Sequence, residues 1–291
     1  MMVRDEPSTL RQAQGSVPPH HERNNTIAAH PEEPLRSRAA ASRSCVSKDL
    51  PTRRDEAWRY SDIEALTRVW PLPAAESIIV PAGGAFTRTI VQDAPAFGAT
   101  IHQLDISIGK SATAAIHVLN IGGAYGRVEL NVTLHEGADF KLGGVQIGGG
   151  TQTLEIVTTI THAEPDATSS QIVRSVLANQ ATGTYLGKVA VARDAQRTDS
   201  VQSVKAMLLD RTATANAKPE LEIYADDVKC AHGCAIGELD PMGLFYLAAR
   251  GIAPADAKKL MLQAFVAGVF EGAEEEDMLT EAALKKLGGL V

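Results

Sequence analysis

The chain has 291 residues, 44% of them hydrophobic and 22% charged, with a net charge of −7. That length allows one large domain or two small ones with a sizeable core, so folding does not depend on disulfides. The acidic balance, with no basic stripe after the N-terminal region, argues against nucleic acid as a partner, and no run of 18 apolar residues is available to cross a membrane.

Aromatics are only 4% and glycine is plentiful, which suits thin, closely stacked β layers better than a core built on large rings. The first residues lack the apolar stretch of a secretory signal. The expectation is therefore a cytoplasmic protein whose three cysteines, Cys45, Cys230 and Cys234, are reduced thiols.

Residues 1–48 hold five of the 14 prolines and three of the eight histidines, without helical or strand period, and read as a disordered polar tail. His20, His21 and His30 can take up metal adventitiously, but a mobile tail is the simpler reading. Residues 49–85 form a docking segment and linker. Trp58, Tyr60, Ile63 and Leu66 suit a short helix or turn seated on the main body, and Pro71 and Pro73 follow.

Residues 86–239 read as β structure. Val128, Leu130, Val132 and Leu134 alternate with polar residues, as do Leu154, Ile156, Thr158 and Ile160, and then Leu221, Ile223 and Ala225. Period two marks half-buried strands, and Gly122-Gly123, Gly143-Gly144 and Gly148-Gly149-Gly150 are among the breaks. A sandwich, a barrel and a solenoid all fit, and no strict repeat selects the last.

Residues 240–291 change period. Asp240-Pro241 starts a helix that Gly251 closes, and Pro254 opens a second in which Leu260, Met261, Ala264, Phe265 and Gly268 share a face up to Gly272. Thr280 is expected to cap a third. Phe245, Tyr246, Leu260, Met261, Phe265, Val266 and Phe270 exceed what one face of a small hairpin hides, so either a partner protein, bound chiefly through Phe245, Tyr246, Leu260, Phe265 and Phe270, or the end of the β body covers them.

The richest chemical text is Cys230-Ala231-His232-Gly233-Cys234. Thiolate and imidazole suit iron, zinc or copper(I). In an extended strand the three side chains share one face about 6.6 Å apart, too far to chelate one ion together unless Gly233 bends the chain. Such a strand instead offers Cys230 and His232 to a metal held jointly with another chain. The bland alternative is that both cysteines are small buried hydrophobes. Gly109-Lys110-Ser111 lacks the glycine that a phosphate loop requires at position 104, which is Leu104, so no ATPase machinery is legible. Asp226-Asp227 reads as a turn, and His102, His117, His135 and His162 read as sheet residues.

Taken together, the segments resemble a known family. PTRRDEAWRYSDI at 51–63 resembles the entry motif of the SufB/SufD family of iron–sulfur cluster assembly proteins. KPELEIYADDVKCAHGCAIGELD at 218–240 and GLFYLAARGI at 243–252 resemble its C-terminal core, and the Cys-x-His-Gly pattern points to the SufD branch. The resemblance covers about residues 49–272. It implies a right-handed parallel β-helix with a C-terminal helical subdomain, and a non-enzymatic scaffold. It further implies pairing with a SufB-like subunit through the β-helix and recruitment of a SufC-like ATPase through C-terminal helices. Carried over position by position, the interface ligands are Cys230 and His232, with Cys234 weaker. The iron–sulfur cluster is assembled transiently with the partner subunit, none is expected in the isolated chain, and the homology of the two subunits leaves open to the isolated chain a homodimer through the surface meant for the SufB-like subunit. The family's longer helical N-terminal domain is replaced here by the polar tail. The alternatives are a self-contained metal-binding solenoid using Cys230, His232 and Cys234, and a β-helix polysaccharide-active enzyme, for which no row of carboxylates at matched strand positions is visible.

Overall fold

A computed structural model describes residues 49–291, so the expectations for residues 1–48, including Cys45 and the three N-terminal histidines, lie outside the described residues. A 3-10 turn at Glu56–Trp58 and helix α1 (Ile63–Thr67) come first. Twelve strands follow: β1 (Glu76–Val80), β2 (Ala85–Gln92), β3 (Ala99–Ile108), β4 (Thr113–Asn120), β5 (Tyr125–Leu134), β6 (Asp139–Gly148), β7 (Thr153–His162), β8 (Thr168–Leu177), β9 (Thr182–Val191), β10 (Asp199–Leu208), β11 (Thr214–Ile223) and β12 (Lys229–Gly237). The chain ends in α2 (Pro241–Ala249), α3 (Pro254–Val266) and α4 (Glu276–Gly288).

Odd strands make one sheet in the order β1-β3-β5-β7-β9-β11, and even strands a second in the order β12-β10-β8-β6-β4-β2. The paired strands run parallel and in register, so the chain coils as a β-solenoid of about six turns. Coil length explains why no strict repeat is visible. Ala99 pairs with Tyr125 and Thr182 with Thr214, so successive coils take about 26 to 32 residues, the difference lying in the turns.

The predicted alternation places the core. Val128, Leu130, Val132 and Leu134 are buried, as are Leu154, Ile156, Thr158 and Ile160. In-register stacking sets each row on its neighbours in one continuous apolar interior, where each fully buried aliphatic contributes about 1.5–3 kcal/mol. In the third predicted run Ala225 is buried and Leu221 packs on the interior, but the strand stops at Ile223, which is exposed: β11 ends its sheet, and among the described residues no further strand pairs with its far edge.

The C-terminal helices cover the outer face of the even sheet. Leu119, Val145, Ile147 and Val176 meet Leu262, Val266, Val269, Phe270, Leu279, Ala283 and Leu287. Gly143 makes this approach possible, since a Cβ there would lie 2.1 Å from the Val269 carbonyl oxygen. Asp240 caps α2 by accepting from the Met242 and Gly243 amides, as its position before Pro241 predicted. Gly251, at φ +81°, follows the end of α2, Pro254 opens α3 and α4 stops at Gly288, as expected, but two helix boundaries differ. Helix α3 stops at Val266 because Gly268, at φ +76°, turns the chain, and α4 begins at Glu276 rather than at Thr280. The buried face of α3 is Ala257, Leu262 and Val266, while Leu260 and Ala264 face outward.

The entry segment sits on the outer face of the odd sheet over a buried charge cluster. Arg127 Nη1 donates to Glu155 Oε2 (2.8 Å) and to the Ala57 carbonyl (2.9 Å), and its Nη2 donates to Glu129 (2.9 Å). Ser61 Oγ and Tyr125 OH donate to the same Glu155 oxygen, each at 2.9 Å, and the Trp58 ring lies 3.9 Å over the guanidinium. Burial alone would push the guanidinium down, but the Glu129 and Glu155 charges outweigh it and hold Arg127 above its ordinary value.

Candidate functional site at the open end of the solenoid

Strand β12 ends the even sheet and pairs with β10 alone. Its register sets Cys230 beside Ser200, His232 beside Gln202, Cys234 beside Val204 and Ile236 beside Ala206. Ser200, Gln202, Val204 and Ala206 are the buried, core-facing row of β10. Parallel pairing preserves the face, so Cys230, His232 and Cys234 continue that row. They belong to a core row that has run out of solenoid: among the described residues no further coil lies over them, and His232 and Cys234 are exposed.

Cys230 is half-buried and packs against the interior cluster. Burial pushes its thiol up, the Asp199 carboxylate adds to this, and the Ser200 backbone amide opposes it. Behind it runs a buried polar row, in which Ser200 Oγ is 2.8 Å from Ser169 Oγ and that hydroxyl is 2.9 Å from His162 Nε2. Among the described residues no group of three or more His, Cys, Asp and Glu side chains converges to hold a metal ion. This agrees with the extended spacing of residues 230, 232 and 234, which separates ligands rather than gathering them. What the strand offers is a thiol and an imidazole side by side at an open end.

Sequence reasoning missed Gln202. It is 1% exposed, and neither Oε1 nor Nε2 has a hydrogen-bond partner in the structure. Leaving a buried primary amide unpaired costs about 1–3 kcal/mol, and such groups are rare. Its only signal in the sequence is a polar residue at a core position of an alternating strand, and only the register shows that His232 is its neighbour.

The predicted partner-binding residues divide. Phe245 is 69% exposed, Tyr246 and Leu260 are exposed as well, and α2 buries none of its residues. Phe265 is partly buried, and Phe270, at 3% exposure, belongs to the apolar layer between the helices and the even sheet. Phe270 is therefore a packing residue: with Gly268 turning the chain after α3, its ring goes inward against the strands. Between α3 and α4 lies a groove of about 410 Å³, with Leu260, Gln263, Glu271, Thr280 and Leu284 in its lining. No helix among the described residues is long and apolar enough to cross a membrane.

A family model described as SUF system FeS cluster assembly, SufBD core domain, matches residues 73–265. The iron–sulfur cluster assembly protein SufD of Escherichia coli strain K12 is 30% identical over 185 residues, 63% of this chain and 44% of that one. An iron–sulfur cluster assembly SufBD family protein of Synechocystis is 32% identical over 167 residues, 57% of this chain and 37% of its own. The chloroplastic protein ABCI7 of Arabidopsis thaliana is 39% identical over 121 residues, 41% of this chain and 26% of its own. The aligned parts span less than half the length of each of these relatives.

Proposed function

The chain belongs to the SufB/SufD family of SUF-system iron–sulfur cluster assembly proteins and is SufD-like, and from that premise we propose that it is a non-enzymatic, cytoplasmic scaffold subunit. The cluster is cargo, assembled transiently between this chain and a SufB-like subunit. Cys230 supplies a thiolate and His232 an imidazole, both suited to iron, and Cys234 is a weaker candidate on the same row. The observation that carries the reading is the position of β12. A core-facing row bearing Cys230 and His232 comes to the surface on an edge strand that has a partner on one side only.

That edge, with its unpaired N–H and C=O groups, is also a template for a second solenoid to continue the sheet. A SufB-like subunit docked there covers the open end and brings its own ligands to the row. In isolation the same edge permits self-pairing.

Energy for rearrangement comes, in this reading, from a SufC-like ATPase recruited by the exposed face of α2, through Phe245 and Tyr246, with Leu260 of α3 beside it. Because α2 buries none of its residues, Phe245→Ala together with Tyr246→Ala leaves the core intact. Deleting residues 241–291 would not, since it uncovers Leu119, Val145 and Ile147. In co-purification with the tagged full chain, the double variant is expected to lose the ATPase by on the order of tenfold or more and to keep the SufB-like subunit, as expected when exposed aromatics anchor an interface. Undiminished capture of the ATPase by the variant removes α2 from the interface.

A further inference from the structure

Resting on the scaffold reading, we propose that Gln202 is the positioning residue for His232, its side-chain carbonyl accepting one imidazole N–H so that the other ring nitrogen faces the open end, bare and ready for iron.

The in-register pairing of β10 and β12 sets the two residues on the same face of neighbouring strands, about 4.8 Å apart. Gln202 is buried with both amide atoms unpartnered, and its surroundings leave few candidates for a partner. Ser200, two residues earlier, is already bonded to Ser169, and Val204, two residues later, is apolar. On the coil behind, Gln171, the in-register neighbour of Gln202, has its Oε1 taken by Thr158 Oγ1 (3.0 Å) and Tyr185 OH (2.9 Å), while its Nε2 has no partner either, so it offers Gln202 a donor but no acceptor and leaves the second lone pair of the Gln202 carbonyl for a group ahead. The polar group ahead is the His232 ring, free to turn at the uncovered end.

A neutral imidazole has one donor and one acceptor nitrogen, and the bond made by the first decides which nitrogen is left for a metal. An amide carbonyl at the base of the ring accepts the N–H and fixes the tautomer. It also explains why a buried amide, otherwise a cost, occupies a core position one strand behind the cluster row.

The test uses the full chain with ¹⁵N-labelled histidine at neutral pH, with the His232 signals assigned by their loss in His232→Ala. Long-range ¹H–¹⁵N spectra are expected to show one tautomer in the wild type. Gln202→Leu, which replaces an unpaired buried amide with an apolar side chain and so keeps the fold, is expected to give the mixed tautomers of a free ring. Gln202→Glu, which retains an acceptor, is expected to restore the single tautomer. In the reconstituted complex, Gln202→Leu is expected to lower cluster loading by on the order of tenfold, in the range found for residues that orient metal-binding histidines.

A His232 spectrum that is the same in wild type and Gln202→Leu overturns the positioning role. It leaves the scaffold reading standing if His232→Ala still abolishes cluster formation. A fixed tautomer alongside full cluster formation by His232→Ala reduces the bond to a structural one and overturns both. A fixed tautomer, its loss in Gln202→Leu and its rescue in Gln202→Glu, with cluster loading following the same order, establishes the proposal.

Discussion

Glu155→Ala is expected to destabilise the protein by about 3–5 kcal/mol, the range for removing one partner of a buried ion pair. Glu155 is 1% exposed, and one of its oxygens accepts from Arg127, Tyr125 and Ser61 together. Its loss leaves the buried guanidinium with Glu129 as its one carboxylate partner and removes the acceptor that ties Ser61 of the entry segment to the sheet. The only two tryptophans of the chain, Trp58 and Trp70, both belong to that segment, so their fluorescence reports on it alone. The expected result is a red-shifted tryptophan emission at denaturant concentrations where circular dichroism still shows β structure. Arg127→Met combined with Glu155→Leu is expected to recover part of the stability, because the two fully buried charges then go together and only Glu129, whose side chain is 20% exposed, loses its partner. A cost below about 1 kcal/mol for Glu155→Ala would show that the cluster does not fasten the segment.

The second large effect concerns acid. His162 is fully buried, and burial pushes its imidazole down to about 4. An unfolded chain holds the same group near about 6.5. Between these values the unfolded state binds a proton that the folded state refuses, so stability falls as the pH falls. The loss begins below about pH 6.5, levels off near about pH 4, and amounts in full to about 3 kcal/mol. His102 and His117, also lowered chiefly by burial, act in the same direction. Urea denaturation at a series of pH values checks this. His162→Gln is expected to flatten the wild-type curve over that window while retaining a polar group beside Ser169. An equally steep curve for the variant would mean that His162 stays neutral in both states or is protonated in both.

How much of this was legible in the chain can be judged from particular residues. The alternation at 128–134 and 154–160 names a core row because period two reports directly which side is wet. Asp240-Pro241 marks a helix start because the cap is a local hydrogen bond. The extended reading of Cys230, His232 and Cys234 also rests on local geometry. Beyond that, the residues left sandwich, barrel and solenoid open, and the resemblance to a family supplied the solenoid, because coils of unequal length hide the repeat. Glu155 and Arg127 look like outward polar positions of a strand, and nothing local says that residues about 70 to 95 positions earlier will cover them. Phe270 reads as a surplus aromatic because the bare backbone of Gly143, which admits the chain after α3 to the sheet, lies more than a hundred residues away. Gln202 becomes meaningful only once its register with His232 is known. What sequence pattern misses here is in each case a contact between distant segments.

The most direct test of the account is cluster assembly on the reconstituted complex of this chain, a SufB-like subunit and the ATPase, comparing wild type with His232→Ala. His232 is exposed on an edge strand, so its loss leaves the fold unchanged. The account predicts that the variant complex assembles normally and that its iron–sulfur absorption falls by on the order of tenfold or more, as expected when a metal-binding imidazole is removed. A full complement of clusters on the variant complex would contradict it.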